Sequence, residues 1–142
     1  MHPRVRTVLF VCVENTFRSV LSEALFNARA PEGWRAESAG VAPAAAINPV
    51  VRELLAERGI HLGVKKPQMV TPELIAEASR VVTFGCLDRC PRGVEGKSED
   101  WPFPGATGKS MDELRVLRDG LARRVDRLSA SLLSKDFTHG PS

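Results

Sequence analysis

Apolar residues along the chain keep two rhythms. Val5 to Val11 is nearly continuous aliphatic, and Arg80 to Phe84 (RVVTF) repeats the pattern. Runs this short and this uniformly apolar suit strands buried on both faces, as in a parallel sheet covered by helices. Trp34 to Ser38 reads as a third, less regular strand, and a short one is expected near Asp100-Trp101 within the Gly- and Pro-rich stretch from Gly85 to Gly108. Between the strands the spacing turns helical. Val20, Leu21, Ala24, Leu25 and Ala28 share one face, and Ala30-Pro31-Glu32-Gly33 closes that helix. Asn48-Pro49 is a start signal for a helix with Val50, Val51, Leu54 and Leu55 buried, ended by Gly59. Thr71-Pro72-Glu73 opens a short helix through Ala78. Ser110 and Glu113 make a capping box ahead of Leu114, Leu117, Leu121, Val125 and Leu128, the buried stripe of a long C-terminal helix.

Strands alternating with helices predict an α/β fold of βαβ units with a parallel sheet and right-handed crossovers. No repeat or linker divides the 142 residues, so residues 1–134 are expected to form one domain and residues 135–142 a frayed tail. In such sheets ligands bind beyond the carboxyl ends of the strands. Cys12 ends the first strand and Cys86 lies two residues past RVVTF, so both belong to that edge.

Charge and cysteine usage narrow the function. The net charge is +3, from 20 basic and 17 acidic residues, with no basic run, which argues against a nucleic-acid partner. No apolar run approaches membrane-spanning length, and the one after Met1–Arg6 is too short for a signal peptide. Three cysteines cannot all pair within one chain. The expected setting is reducing and cytoplasmic, where thiols are more often catalytic or metal-binding than structural.

The chemistry concentrates at CVENTFRS, Cys12 to Ser19, between a buried strand and an amphipathic helix. Five residues there, Val13, Glu14, Asn15, Thr16 and Phe17, separate the thiol from Arg18. A loop of that length can curl so that its N–H groups, with the free ones at the helix start, point inward at a tetrahedral oxyanion. Arg18 adds a bidentate guanidinium. Cys12 lies at the bottom, in a field that favours a thiolate nucleophile. Ser19 can donate its hydroxyl to that thiolate. Asn15 tolerates a left-handed backbone and can brace the curl. Glu14 is expected to point outward, because a carboxylate facing the anion opposes binding.

From Val8 to about Leu128 the chain resembles the low-molecular-weight protein tyrosine phosphatase superfamily, and within it the arsenate reductases built on that fold. The likeness is carried by VLFVCVENTFRS, by ESAG (Glu37 to Gly40), by INPVVRELLAERGI (Ile47 to Ile60), by RVVTFGCLDRCP (Arg80 to Pro91) and by the segment from Asp100 to Val125. The resemblance implies a three-layer α/β sandwich with a four-stranded parallel sheet flanked by helices. It implies Cys12 as nucleophile, Arg18 as oxyanion clamp, Asn15 as loop brace and Ser19 as thiolate partner. GCLDRCP resembles the reductase branch, which implies Cys86 and Cys90 as resolving thiols. The implied substrate is a small oxyanion, arsenate or a phosphate ester. The implied reductant is external, thioredoxin or a low-molecular-weight thiol, with no bound cofactor. No metal is expected, since a lone C-x3-C without matching His or Cys makes a poor zinc site.

The sequence also departs from that family. Its members carry an Asp-Pro general acid shortly after a DW dipeptide. Here the stretch is DWPFPGATGKS, and Gly105 and Ala106 stand at the matching positions. Asp100 is the nearest carboxylate in sequence and the candidate substitute. General acid help is commonly worth about 10²- to 10⁴-fold, so its absence leaves two alternatives open: a phosphatase acting through a cysteinyl-phosphate, or a non-catalytic oxyanion binder. Phe17 stands where many relatives have a small or polar residue or a second cysteine, and it is expected to crowd the rim. GATGKS, Gly105 to Ser110, lacks the first glycine of a nucleotide P-loop, which would fall at Phe103. His2, His61 and His139 are expected at the surface, and Trp34 and Trp101 at the sheet edges.

Overall fold

The computed structural model describes residues 5–91 and 93–138, with side chains as far as Leu133. Four strands, β1 (Arg6–Cys12), β2 (Trp34–Gly40), β3 (Arg80–Thr83) and β4 (Ser98–Asp100), form one sheet in the order β2-β1-β3-β4. Every pairing is parallel. Four α-helices accompany them: α1 (Arg18–Ala28), α2 (Val50–Ala56), α3 (Pro72–Glu77) and α4 (Met111–Thr138).

The side-chain alternation of β1 divides the core in two. Val8, Phe10 and Cys12 face one layer, packed with residues of α1, α2 and α4 such as Leu21, Leu55 and Leu121. Leu9 and Val11 face the other, against Val70, Ile75 and Ala78 around α3. Helices on both faces of a parallel sheet make the three-layer sandwich, and they explain why the strands read as unbroken apolar runs. Caps fall where the sequence put them. Thr71 Oγ1 accepts the Leu74 N–H at 3.1 Å, and Asn48 Oδ1 accepts that of Val50 at 3.1 Å. Ser110 and Glu113 close the capping box from both sides, at 2.9 and 3.2 Å.

One expectation changes. Trp101 is not an edge residue: it is 1% exposed, with its ring 5.7 Å from Phe10 and 5.8 Å from Phe84. It follows the short edge strand β4, and its ring turns inward to fill the core between those phenylalanines. Trp34 does stand on the edge strand β2, although it too is buried. The last helix is described from Met111 to Thr138. Residues 139–142, with His139, and residues 1–4, with His2, lie outside the described residues. His61 is exposed.

Truncating Trp101 to alanine removes the largest fully buried side chain, and it is expected to lower the unfolding free energy by about 3–5 kcal/mol in urea titrations. Val64→Ala, at a position 99% exposed, is expected to change it by less than about 0.5 kcal/mol.

Candidate active site

β1 pairs with β2 on one side and β3 on the other, so the chain leaves it in opposite directions. A crevice opens at the carboxyl ends of strands where the order reverses in this way. The loop after Cys12 fills it. Its carbonyls are turned outward: those of Cys12, Val13, Glu14 and Thr16 accept the N–H groups of Val41, Ala42, Ala44 and Asn48 at 3.2, 2.8, 3.1 and 3.2 Å. Among the described residues, no loop or turn backbone hydrogen bond uses the N–H groups of residues 13–17. These amides, with the free N–H groups at the start of α1, are left for an anion.

Gly40 permits the close approach. A Cβ built there lies 2.7 Å from the Val13 carbonyl oxygen and 2.9 Å from the Asn15 nitrogen, both backbone atoms that cannot step aside singly. Asn15 takes the left-handed conformation that its residue type tolerates, at φ 55°, and is wholly buried. Its side chain serves as the brace. Oδ1 accepts the Gln68 N–H at 2.9 Å, and Nδ2 donates to Ser19 Oγ at 2.9 Å. Ser19 Oγ lies 2.9 Å from Cys12 Sγ. Because Asn15 already donates to that hydroxyl, the Ser19 proton is free to point at the sulfur, and toward a thiolate it is the sole possible donor of the pair.

Arg18 opens α1 and is fixed by two carbonyls. Its Nη1 donates to Phe103 O at 2.9 Å and Phe84 O at 3.2 Å, and its guanidinium carbon lies 5.9 Å from the centre of the Phe84 ring. The remaining N–H groups, on Nε and Nη2, are available to an oxyanion. The resulting cleft has a volume of about 270 Å³, with Cys12, Arg18, Asn48 and Thr107 among its lining residues. Val13, Thr16 and the buried Phe17 line it too, so Phe17 forms part of the wall. Glu14 is exposed, as expected of an outward residue, yet it borders the cleft and is the one carboxylate among the described lining residues.

The loop carrying Gly105, Ala106 and Thr107 closes the far side. Gly105 and Ala106 stand where the family likeness expects the general acid, and the loop brings no carboxylate to the cleft. Asp100, the candidate substitute, does not line the cleft. Its Oδ1 accepts the Thr83 hydroxyl at 2.6 Å and the Gly85 N–H at 2.7 Å.

Cys12 and Cys86 share the carboxyl edge, but their sulfurs belong to opposite layers. Cys12 packs in the α1/α4 layer and Cys86 in the α3 layer beside Leu9 and Val11. The Cys86 thiol, fully buried, points to the Val11 carbonyl at 3.4 Å. A single 3-10 turn, Leu87–Arg89, separates it from Cys90, whose thiol lies 3.6 Å from the Cys86 carbonyl. A hydrogen bond from the Cys90 thiol is the main reason the Cys86 thiol is held down, at about 7 against an ordinary 9.0. The same bond, with burial, pushes the Cys90 thiol up. The pair therefore deprotonates first at Cys86. All three cysteines are free thiols. No cluster of His, Cys, Asp and Glu among the described residues is placed to hold a metal, and no helix of the described chain is long and apolar enough to cross a membrane.

A thiol thus lies at the floor of an amide and guanidinium cradle, at the switch point of a four-stranded parallel sheet, an arrangement able to receive an oxyanion. The chain belongs to the low molecular weight phosphotyrosine protein phosphatase family, whose model matches residues 7–136. Within that family its curated relatives include arsenate reductase 1 of Staphylococcus haemolyticus, 26% identical over 131 residues that cover 90% of this chain and 98% of the relative. The arsenate reductase of Staphylococcus aureus is 27% identical over 129 residues, 88% of this chain and 97% of that protein. Among solved structures, a thioredoxin-dependent arsenate reductase from Corynebacterium glutamicum is 31% identical with a TM-score of 0.79; the match takes in 95% of this chain but 65% of that one. The YwlE arginine phosphatase from Geobacillus stearothermophilus is 25% identical with a TM-score of 0.84, over 96% of this chain and 99% of that one.

Three supports of the site have no signal in the local sequence pattern: Gln68, which holds Asn15 through a backbone N–H, and the carbonyls of Phe84 and Phe103, which hold Arg18. Gly40, within the quoted ESAG, was visible as a residue but not as the contact that lets the loop close.

Gly40→Ala should leave the fold cooperative and weaken the cradle, lowering covalent reaction at Cys12 with an aryl phosphate by about 100-fold. Ser19→Ala, which removes a donor to the developing thiolate, should lower the same burst rate by about 10- to 100-fold.

Proposed function

We propose that this protein reduces arsenate to arsenite, with Cys12 as nucleophile and Cys86 and Cys90 as the thiols that supply and pass on the electrons. The observation that carries the reading is the placement of its three cysteines: Cys12 in the anion cradle at the end of β1, and Cys86 and Cys90 in one short segment leaving the adjacent strand β3. The curated arsenate reductases named above, matched over nearly their whole length, support it.

In this reading arsenate occupies the cleft with its oxygens on the loop amides and on Arg18. The Cys12 thiolate attacks arsenic, and one arsenate oxygen leaves as water after taking up protons. The Cys86 thiolate then attacks Cys12 Sγ. The sulfur–arsenic bond breaks with its electron pair going to arsenic, which falls from the pentavalent to the trivalent state and leaves as arsenite. A Cys12–Cys86 disulfide remains. Cys90, as thiolate, attacks Cys86 Sγ, which frees the Cys12 thiolate and leaves a Cys86–Cys90 disulfide. An external thiol of the thioredoxin or small-molecule class reduces that bond. The low pKa of Cys86 suits the second step, because the attacking thiol is ionised near neutral pH. Such a cycle requires a reducing compartment, which the cytoplasm provides.

A second reading follows from the likeness to the arginine phosphatase and from the completeness of the cradle. Cys12 and Arg18 alone support phosphoryl transfer through a cysteinyl-phosphate. With Gly105 and Ala106 at the acid's position, such hydrolysis is expected to be slower by about 10²- to 10⁴-fold than with an acid in place.

Steady-state arsenate reduction with thioredoxin and thioredoxin reductase, run beside aryl phosphate hydrolysis, separates the two. Cys12→Ser should abolish both activities. Cys86→Ser should abolish reduction and leave hydrolysis within about 3-fold. Undiminished arsenate reduction by Cys86→Ser would contradict the relay and favour the phosphatase reading.

A further inference from the structure

The resting position of Cys86 poses a mechanical problem. Its sulfur sits in the α3 layer, bonded to the Val11 carbonyl, while the Cys12 sulfur faces the opposite layer. For the two to meet, Cys86 must swing around the end of β1. The chain between β3 and Cys86 is two residues long, Phe84 and Gly85, so the swing has few backbone torsions to use, and those flank the peptide that joins the two.

That peptide is gripped on both sides. Its carbonyl, on Phe84, accepts Arg18 Nη1 at 3.2 Å. Its N–H, on Gly85, donates to Asp100 Oδ1 at 2.7 Å. The same carboxylate oxygen takes the Thr83 hydroxyl at 2.6 Å across the β3–β4 pair, where Thr83 and Asp100 stand in register. Gly85 has φ +79°, a conformation open to glycine and costly to most residues. The cleft's own arginine and a carboxylate outside the cleft thus clamp one peptide plane, directly before the relay thiol.

We propose that Asp100 is a positioning residue of the relay: through the Gly85 N–H it pins the Phe84–Gly85 peptide and holds Cys86 parked in the α3 layer, so that the swing toward Cys12 begins with the loss of that hydrogen bond. This rests on the relay reading of Cys86. It also gives Asp100 a role other than proton donor, consistent with its place outside the cleft. Arg18, on the carbonyl side of the same peptide, makes the pivot adjacent to whatever occupies the cradle.

The test measures how often Cys86 leaves its buried site in the resting, fully reduced protein. Iodoacetamide labelling is followed by tryptic mass spectrometry, in which the peptide Val81–Arg89 carries Cys86 without Cys90. A hydrogen bond to a charged acceptor is strong enough that its loss should speed labelling of Cys86 in Asp100→Ala by about 10-fold or more. Asp100→Asn keeps an acceptor oxygen and should return to within about 3-fold of wild type. Amide exchange should rise at Gly85 to Cys90 in Asp100→Ala while β1 stays protected. Equal labelling of wild type and Asp100→Ala would overturn the proposal. So would Asp100→Asn behaving like Asp100→Ala, or a loss of protection in β1 as large as that at Gly85, since either marks general loosening. Arsenate reduction by Cys86→Ser tests the relay separately: if it persists, the relay fails while the labelling result still reports whether the pin exists.

Discussion

The site depends on the outward anchoring of one loop. Four carbonyls between Cys12 and Thr16 are taken up by N–H groups of residues 41–48, and this forces the amides between them to face the cleft. Buried backbone groups rarely go unpaired, so inward amides without partners are stable chiefly as a binding site for something that accepts hydrogen bonds. The rest of the architecture serves that arrangement. The parallel pairing of β1 with β2 brings Gly40 level with Cys12, and only a residue without a side chain lets the loop come so close. Asn15 spends its amide on Gln68 and Ser19, and Ser19 is thereby oriented toward the sulfur. The core, the switch point and the loop are one construction.

The cradle by itself does not choose between reduction and hydrolysis. Both start with the Cys12 thiolate and a tetrahedral oxyanion. What differs is what happens to the sulfur next. A phosphatase needs a proton donor and then water at the adduct, and the loop at Gly105 offers neither carboxylate nor imidazole. A reductase needs a second thiol that ionises near neutrality and can reach the adduct. Cys86 meets the first condition through its hydrogen bond from Cys90. It meets the second only by moving, so in the proposed relay the pivot at Phe84–Gly85 matters as much as the thiols.

Much of this was legible in the sequence because it is fixed locally. Buried strands announce themselves as aliphatic runs, caps as Thr71 or Ser110, and the anion loop as a thiol and an arginine between a strand and a helix. Asn15 could be read from its residue type as one that tolerates a left-handed backbone. What stayed hidden was set by tertiary geometry. Trp101 looked like an edge residue because it follows a short edge strand, yet its ring turns inward between Phe10 and Phe84. Asp100 looked like a spare acid because it is near the right place in sequence. Its two short hydrogen bonds to Thr83 and Gly85 depend on the register of β3 and β4, which no pattern records. The layer that Cys86 faces could not be read by alternation either, since Gly85 turns the chain after the strand has ended.

In the proposed relay, an oxyanion held over Cys12 receives its electrons through Cys86. Its most direct test is a single turnover of Cys90→Ser with arsenate and no reductant, quenched in acid and mapped by mass spectrometry. One arsenite per protein is expected, with a disulfide joining Cys12 to Cys86 that stays trapped because the thiol that resolves it is gone. Arsenite released with Cys12 and Cys86 both left as free thiols, or no arsenite from a protein whose cradle binds arsenate, would contradict it.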